Sequence, residues 1–464
     1  MTPFHALLPA WGTLAGELAR MAVVGLAFFA ILAVAELLQR RLKPPVEWTR
    51  KFVHFGGGVV AAVFPWAFST HWTVLGLGAL MLATFVVARR AGLLASVTAV
   101  ERRSTGELWY PVGVYLLFVI ARHQPVFWLI ALSSLVVSDT AAALLGRAYG
   151  RLAFFAASDR KSVEGSAAFF VATFLGVHLA LLLLTGVARD ASVLIALQLA
   201  LIVTSFEAIS LHGNDNLVVP IATYYLLVKL TPRPAESIAL ELAAELAMLL
   251  VALVLAWRTR VLSWAAAIAA HLAIYAAFSL GGPAWSVAPA LALAGFVTLD
   301  ARSGRRGGRH QVQAVFWVSI VGVVLIFLDN TFATLLPGRH RLSVGHPFMV
   351  PYVGALAAPA AIVAYQFLRL ARAAWSRAAT IAAAAGAGWA LVAPLGLAAL
   401  GRAADVRALA ITAAMCATAV PVYVLARRRL RRRTESADLR LQALAVAAAA
   451  LVFTFVHLQA QPRP

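Results

Sequence analysis

A short loop dense in charged and hydroxyl side chains interrupts an otherwise apolar sequence at residues 151–166. Its charged residues are Arg151, Asp159, Arg160, Lys161 and Glu164. Ser162 is placed to cap the helix that follows, which leaves Lys161 beside free backbone N–H groups at the positive end of the helix dipole. A helix N-terminus with an adjacent lysine is a ready site for a polyphosphate. Glu164, in the first turn, can hold the Mg²⁺ that accompanies such a ligand.

Asp139 is a carboxylate within a hydrophobic run, because residues 126–137 before it are almost all apolar. An ionisable side chain inside a membrane span costs at least ~2.5–3.5 kcal/mol at the membrane centre, so Asp139 needs a partner or a function. Small residues follow it at helical spacing and allow close helix packing: Ala143, Gly146 and Gly150. An intramembrane salt bridge without chemistry is the structural alternative.

Two further clusters lie upstream. In "TRKFVHFGGG" (49–58), Arg50 and His54 share a helix face, and the three glycines allow close approach of a backbone or a ligand. Arg50 and Lys51 are explained equally well as topology signals. In "ERRSTGELWYP" (101–111), hydroxyls and guanidiniums can form an edge that binds phosphate oxygens, although a solvated loop has the same composition. The candidates there are Ser104, Thr105 and Glu107.

The fourth cluster includes "FEAISLHGNDN" (206–216). Glu207 lies near the end of an apolar run, and Asp215 adds a carboxylate to the turn that follows. Gly213 and Asn214 are expected to supply the turn conformations. Because the four clusters lie far apart in the sequence, they can form one site only if the fold places them at the same side of the membrane.

The elements that position these residues are membrane helices. The chain has 464 residues, of which 62% are hydrophobic and 12% charged, whereas soluble domains have about 25% charged residues. Apolar runs long enough to span a bilayer are predicted at 21–38, 52–68, 70–88, 108–122, 125–146, 167–186, 190–209, 217–231, 238–256, 261–280, 285–299, 313–336, 347–367, 378–400, 405–425 and 439–459. The predicted fold is an all-α, polytopic transmembrane helical bundle of about 15–16 spans.

The net charge of +20 would suggest nucleic acid in a soluble protein. Here basic loops alternate with charge-poor loops, as the positive-inside rule requires. We therefore expect an integral membrane protein of a bacterial plasma membrane, with the basic loops and all four clusters cytoplasmic and no nucleic-acid partner. The segment "ARRRLRRR" (426–433) is expected to attract anionic lipids.

The ordered set of motifs resembles a known family. "RKFVH", "STGE", "SDTAAALLGRAYGR", "RKSVEGS" and "GNDNLVVP" together resemble the CTP-dependent polyprenol kinases, which include dolichol kinase and phytol kinase. The resemblance covers about residues 45–225. It implies transfer of the γ-phosphate of CTP to the hydroxyl of a membrane isoprenoid alcohol, with Mg²⁺. The residues of this sequence that match the motif positions of the family are Asp139, Lys161, Glu164, Asp215 and Asn216.

These considerations assign a role to each candidate. Mg²⁺ is expected on Asp139 and Asp215, with Glu164 or Asn216 assisting. Glu207 or Asp215 would orient the proton of the alcohol, and Lys161 would hold the nucleotide phosphates. The other residues expected at the nucleotide are Arg147, Arg151, Arg160, Ser162, Gly165, Ser166 and Asn216. Those expected at the substrate edge are Arg50, His54, Ser104, Thr105 and Glu107.

Two rival functions remain. Phosphatidate cytidylyltransferase, which makes CDP-diacylglycerol, shares the "SDT…GR…GR…EGS" arrangement, but that family adds Lys-Asp and Asp-Arg pairs that "EAISLHGNDNLVVP" lacks. A secondary transporter would use Asp139 in an ion pathway between inverted repeats with broken helices, and the sequence shows no such pair of broken helices. The kinase is therefore favoured.

The polar clusters are confined to the first half of the chain, and this predicts three regions. Residues 1–44 form an N-terminal transmembrane segment, residues 45–232 form the kinase-like catalytic domain, and residues 238–464 form an Ala/Leu-rich transmembrane domain, with the boundary expected near 232–237, at the stretch "TPRPAE" (231–236).

 The C-terminal domain is expected to have at most an accessory lipid-binding or partner-binding role, and Asp329 and Asn330 within it are expected to make a polar contact between helices.

Overall fold

The computed structural model describes residues 13–98, 105–156, 159–302, 310–335, 348–370, 406–428 and 435–460. The chain divides into two compact units, Met1–Ala243 and Ala244–Pro464. The predicted break near 232–237 covers the end of the turn before helix Ala235–Thr259 and the first residues of that helix. The helix continues from the first unit into the second.

The first unit contains helices α1 to α11 and the start of α12. They are α1 (Leu14–Leu42), α2 (Val46–Ala62), α3 (Phe64–Ala67), α4 (His71–Ala91), α5 (Ala95–Thr98), α6 (Gly106–Ala121), α7 (Pro125–Ser133), a π-helical segment (Ser134–Ser138), α8 (Asp139–Tyr149), α9 (Val163–Leu184), α10 (Arg189–Ile209), α11 (Asp215–Leu230) and α12 (Ala235–Thr259). Between α8 and α9 lies a two-stranded antiparallel hairpin of β1 (Ala153–Ala156) and β2 (Asp159–Ser162), which pairs Phe154 with Lys161.

In its described residues, the second unit continues with six more helices. They are α13 (Trp264–Gly281), α14 (Pro283–Arg302), α15 (Val312–Leu335), α16 (Met349–Leu370), α17 (Val406–Arg428) and α18 (Glu435–Ala460). The predicted polar contact of Asp329 is present, because its carboxylate accepts the backbone N–H of Phe348 at 3.0 Å. Asp438 joins α16, α17 and α18, since it accepts hydrogen bonds from Gln366 at 2.9 Å and from Tyr423 at 2.7 Å.

The all-α membrane fold is confirmed, and the protein is an integral, multi-pass membrane protein. Among the described residues, eleven helices are long and apolar enough to cross a membrane, and α6 and Pro283–Val297 are shorter apolar helices. Two further predicted spans correspond to α2 and α11, which have 17 and 16 residues and fall outside both groups. The one remaining predicted span, 378–400, lies outside the described residues. The β-hairpin and the π-helical segment are local departures from the prediction in the described part of the first unit.

Glycines set how closely the helices of the first unit approach each other. A Cβ on Gly165 of α9 would lie 3.3 Å from Cα of Gly146 on α8, so this crossing depends on the absence of side chains. The predicted small-residue face of α8 therefore packs against a helix. In α2, a Cβ on Gly58 would collide with Val136 of the π-helical segment, so this glycine serves helix packing rather than ligand binding.

Candidate active site

One cavity of about 690 Å³ in the first unit collects most of the predicted site residues. We call it the polar cavity. Its walls come from the start of α2, the start of α6, α8, β2, the first turn of α9, the end of α10 and the start of α11. The predicted residues in its lining are Arg50, Asp139, Arg147, Arg160, Lys161, Ser162, Gly165, Ser166, Glu207, Asp215 and Asn216. The fold thus brings together segments that lie more than 150 residues apart at their extremes, Pro45 and Asn216.

Asp139 has a buried partner that the sequence reasoning missed. Its carboxylate forms an ion pair with Lys51 of α2, whose side chain is only 3% exposed, while that of Asp139 is 17% exposed. Both residues line the polar cavity. The sequence reasoning treated Lys51 as a topology signal, although its position three residues before His54 places both on one face of α2. Asp139 is therefore held on the cavity wall by a charge from another helix.

A π-helical segment immediately precedes Asp139. This wider turn, Ser134–Ser138, interrupts the regular α-helical hydrogen bonds. His54 Nε2 lies 3.0 Å from the carbonyl oxygen of Leu135 within the segment and 3.3 Å from the Asp139 carboxylate. His54 accordingly stands behind Asp139 and does not line the polar cavity. π-Helical turns are rare and occur often at functional sites, but no sequence pattern used above detects them.

Lys161 is fixed by three acceptors at the end of α10. Its ammonium group donates to the carboxylate of Glu207 at 2.6 Å, to the hydroxyl of Ser210 at 2.8 Å and to the backbone carbonyl of Glu207. Burial acts to lower the pKa of Lys161, but the carboxylates of Glu207 and Asp215 outweigh it and hold the pKa above its ordinary value. Lys161 is thus a fixed positive charge in the cavity wall.

The first turn of α9 forms the predicted anion-binding edge. The Ser162 side chain accepts the N–H of Gly165 at 3.1 Å, so the predicted N-cap is present. The hydroxyl oxygen of Ser166 is buried and finds no hydrogen-bond partner among the described residues, although Ser166 lines the polar cavity. A buried hydroxyl without a partner is costly unless a ligand or water completes it. The turn therefore has spare capacity to bind a ligand oxygen.

The "HGNDN" turn places Asp215 and Asn216 at the start of α11. Positive φ angles occur at His212 (+56°) and Gly213 (+89°), and Asn214 completes the predicted turn in a right-handed conformation. The Asn214 side chain also stabilises the turn, because it accepts the N–H of Leu211 at 2.9 Å. Asn216 donates to the carbonyl of Gly106 at 2.8 Å, which joins α11 to α6.

Besides His54, four predicted residues in the described part of the chain lie outside the lining of the polar cavity. Glu164 accepts the backbone N–H groups of Arg151 and Leu152 at 2.9 and 3.0 Å, so its carboxylate is occupied in holding the hairpin to α9, and Arg151 also lies outside the lining. Thr105 bonds to the carbonyl of His212 through both its N–H and its hydroxyl. Glu107 pairs with Arg89 at 2.9 Å. Ser104 lies outside the described residues.

The charges of the polar cavity balance. Its lining contains five basic side chains, Arg50, Lys51, Arg147, Arg160 and Lys161, and five acidic ones, Glu47, Asp139, Asp159, Glu207 and Asp215. Three pairs form within the lining: Arg50 with Glu47, Lys51 with Asp139, and Lys161 with Glu207. Arg147 and Arg160 make no ion pair with another described residue. These two guanidiniums remain available for an anionic ligand.

The carboxylates of the polar cavity suit Mg²⁺ that is bound together with substrate phosphates and water. They suit less well a metal ion whose ligands all come from the protein. No group of three or more His, Cys, Asp or Glu side chains in the described part of the chain is arranged to hold a metal ion. Mg²⁺ is usually bound through one or two carboxylates together with substrate phosphates and water. Asp139 and Asp215 both line the polar cavity and can supply those two carboxylates. Glu164, outside the lining, does not belong to this set.

The comparisons agree with the motifs. No family model and no solved structure matches the chain. The chain is 32% identical to a phytol kinase from Synechocystis sp. over 196 residues, which make up 42% of this chain and 84% of that protein. Because the match spans most of the relative and the motif residues meet at one cavity, the chain belongs to the phytol kinase-like family of polyprenol kinases.

Proposed function

We propose that this protein transfers the γ-phosphate of CTP to the hydroxyl group of an isoprenoid alcohol in the membrane. The observation that carries the proposal is the polar cavity, whose lining combines Asp139 and Asp215 with the first turn of α9 and with two guanidiniums that have no ion-pair partner in the described part of the chain. A triphosphate needs such donors, and the acceptor alcohol is the class of substrate named by the related phytol kinase. The active-site loops are proposed to face the cytoplasm, where the nucleotide is available.

The phosphates are bound by groups that have no other partner among the residues the structure describes. Arg147 and Arg160 supply charge-assisted hydrogen bonds, and Ser166 and the N-terminus of α9 supply hydroxyl and backbone donors. Lys161 differs from them, because its three N–H groups already have acceptors. It therefore contributes a preorganised charge, which costs no rearrangement as negative charge develops on the transferred group.

Phosphoryl transfer depends on positioning and charge neutralisation more than on covalent chemistry. Mg²⁺ held by Asp139 and Asp215 would neutralise phosphate charge. Glu207 is placed to accept the proton of the alcohol: its Oε1 is fixed by Lys161 at 2.6 Å, and its second oxygen has no hydrogen-bond partner among the described residues. The alcohol oxygen then bonds to the γ-phosphorus, the bond to the β-phosphate oxygen breaks, and CDP leaves.

The reaction is tested with CTP labelled at either the α or the γ phosphate, purified protein, Mg²⁺ and geranylgeraniol. The proposal requires γ label on the lipid and release of CDP. Transfer of α label to phosphatidate with release of pyrophosphate would instead identify a cytidylyltransferase. Competition by unlabelled ATP, GTP and UTP tests the choice of donor, and a better rate with any of them would refute CTP as the donor.

Two matched variants connect the activity to the cavity. Glu207→Gln keeps the size of the side chain but removes the proton acceptor, so kcat should fall by about 10²–10⁴, the usual contribution of general acid–base catalysis. Asp190→Asn is the control, since Asp190 is an exposed carboxylate in the first turn of α10 at the other end of the same helix. Equal activity of the two variants would remove Glu207 from the mechanism.

A further inference from the structure

Two smaller cavities lie beside the polar cavity in the first unit. The first, which we call the connecting cavity, has a volume of about 30 Å³ and shares Arg50, Gly106 and Asn216 with the polar cavity. The second, which we call the apolar cavity, has a volume of about 50 Å³ and shares Phe28 and Tyr110 with the connecting cavity. The connecting cavity therefore adjoins the polar cavity on one side and the apolar cavity on the other.

The lining changes from polar to apolar along this series. The connecting cavity combines Arg50, His54 and Glu107 with Phe28 and Phe85. The apolar cavity lies between α1, α2, α4 and α6 and is lined almost entirely by hydrophobic and glycine residues. This order matches an amphiphile whose polar end lies in the polar cavity and whose hydrocarbon lies among the helices.

We propose that the apolar cavity binds the hydrocarbon tail of the acceptor alcohol beyond its first isoprene unit. The inference rests on the proposed function, and it names the four helices that select the acceptor. The occupant follows from continuity with the polar cavity, because a chain attached to a hydroxyl near Asp139 meets the connecting cavity next. His54 contacts Asp139 at 3.3 Å and also lines the connecting cavity, so it marks this junction.

The cavity can widen to receive the tail. Met81 lies in its lining, and methionine side chains change conformation easily and adapt to apolar ligands. Several lining residues are only partly buried, among them Val24, Val60, Gly78 and Tyr115. The cavity therefore reaches the surface of the first unit, where the remainder of a longer tail can continue into lipid.

Glycine substitutions narrow the cavity without disturbing its walls. A Cβ on Gly25 would lie 3.9 Å from Leu77, and one on Gly78 would lie 3.7 Å from the nearest atom, both ordinary contacts. We expect Gly25→Ala/Gly78→Ala to lower kcat/KM for geranylgeraniol about tenfold, the effect of small changes in an apolar pocket, and to leave kcat/KM for dimethylallyl alcohol unchanged. Gly76→Ala is the control, because Gly76 is on α4 but faces Met21 outside the lining.

A binding measurement separates this inference from the proposed function. Full-length protein in lipid nanodiscs is illuminated with a geranylgeraniol analogue that carries a diazirine on an isoprene unit near the hydroxyl, and labelled peptides are identified by mass spectrometry. Labelling of α1 and α4 that geranylgeraniol suppresses supports the inference, even if no nucleotide yields a phosphorylated product and the proposed function fails. Labelling confined to other helices, or equal losses for both alcohols in the double variant, overturns the inference while leaving γ-phosphate transfer intact.

Discussion

The buried pair of Lys51 and Asp139 gives the sharpest prediction. Breaking a buried ion pair by removing one partner leaves an uncompensated charge and costs ~3–5 kcal/mol. The side chains here are 3% and 17% exposed, so solvent screens them little. Since folded proteins are stable by only ~5–15 kcal/mol, Lys51→Met and Asp139→Asn should each lower the unfolding temperature markedly.

The double variant Lys51→Met/Asp139→Asn separates structure from chemistry. It leaves neither charge unpaired, so its free energy of unfolding should fall by clearly less than the sum of the two single losses. Activity should be absent in the two variants that lack the Asp139 carboxylate, because that carboxylate is needed for the metal. Stability is measured by thermal unfolding in one detergent, and activity by transfer of γ label to geranylgeraniol at a temperature at which each variant remains folded.

Two results would refute this reasoning in different ways. Additive losses of stability would show that Lys51 does not compensate the charge of Asp139. A double variant that regains both stability and activity would show that the pair is a structural salt bridge without a role in chemistry, the alternative that the sequence leaves open.

Three further predictions concern the same unit. Arg160→Gln removes a guanidinium that lacks an ion-pair partner among the described residues, so KM for the nucleotide should rise about tenfold with a smaller change in kcat. Arg151→Gln is the control, because Arg151 lies outside the lining of the polar cavity, and it should leave KM unchanged. Gly113→Ala forces a Cβ against the backbone carbonyl of Asn216 and should destabilise the fold by ~1–3 kcal/mol in thermal unfolding; Gly186→Ala, with no neighbouring atom within 4 Å, should not. The pKa of Lys161 is raised, so Lys161 stabilises the fold while it is charged. The difference in free energy of unfolding between wild type and Lys161→Met should be constant below the ordinary lysine pKa of 10.5 and decrease only as the pH rises through the higher folded-state pKa.

The fold was largely predictable because membrane helices leave a strong signal in sequence. Fifteen of the sixteen predicted spans lie on described helices. The signal was weakest in α2 and α11, whose polar residues serve the cavity and reduce their apolar character. The hairpin β1–β2 escaped prediction because four-residue strands carry too few side chains to show a period.

The site was predictable to the extent that local chemistry determines it. The Ser162 cap depends on residues within one turn, and sequence revealed it. The partnership of Lys51 with Asp139 joins residues 88 positions apart, and no local pattern contains that information. Glu164 shows the converse case: sequence identifies a carboxylate in a first turn, but not that this carboxylate accepts the backbone N–H groups of Arg151 and Leu152.

The boundary between the units determines how much of the chain the site needs. Every residue that lines the polar cavity falls between Pro45 and Asn216, within the first unit. That unit nevertheless extends into α12, where Glu241 pairs with Lys229 at 2.7 Å and also with Arg233. A chain that ends at Arg233 lacks Glu241 and would leave the largely buried Lys229 without this carboxylate. A chain that ends after Thr259 keeps the ion pair of Lys229 and Glu241. If the first unit holds the whole catalytic apparatus, the longer fragment retains γ-label transfer and the shorter one loses stability first; loss of activity in a stably folded longer fragment would show that the second unit takes part in the reaction.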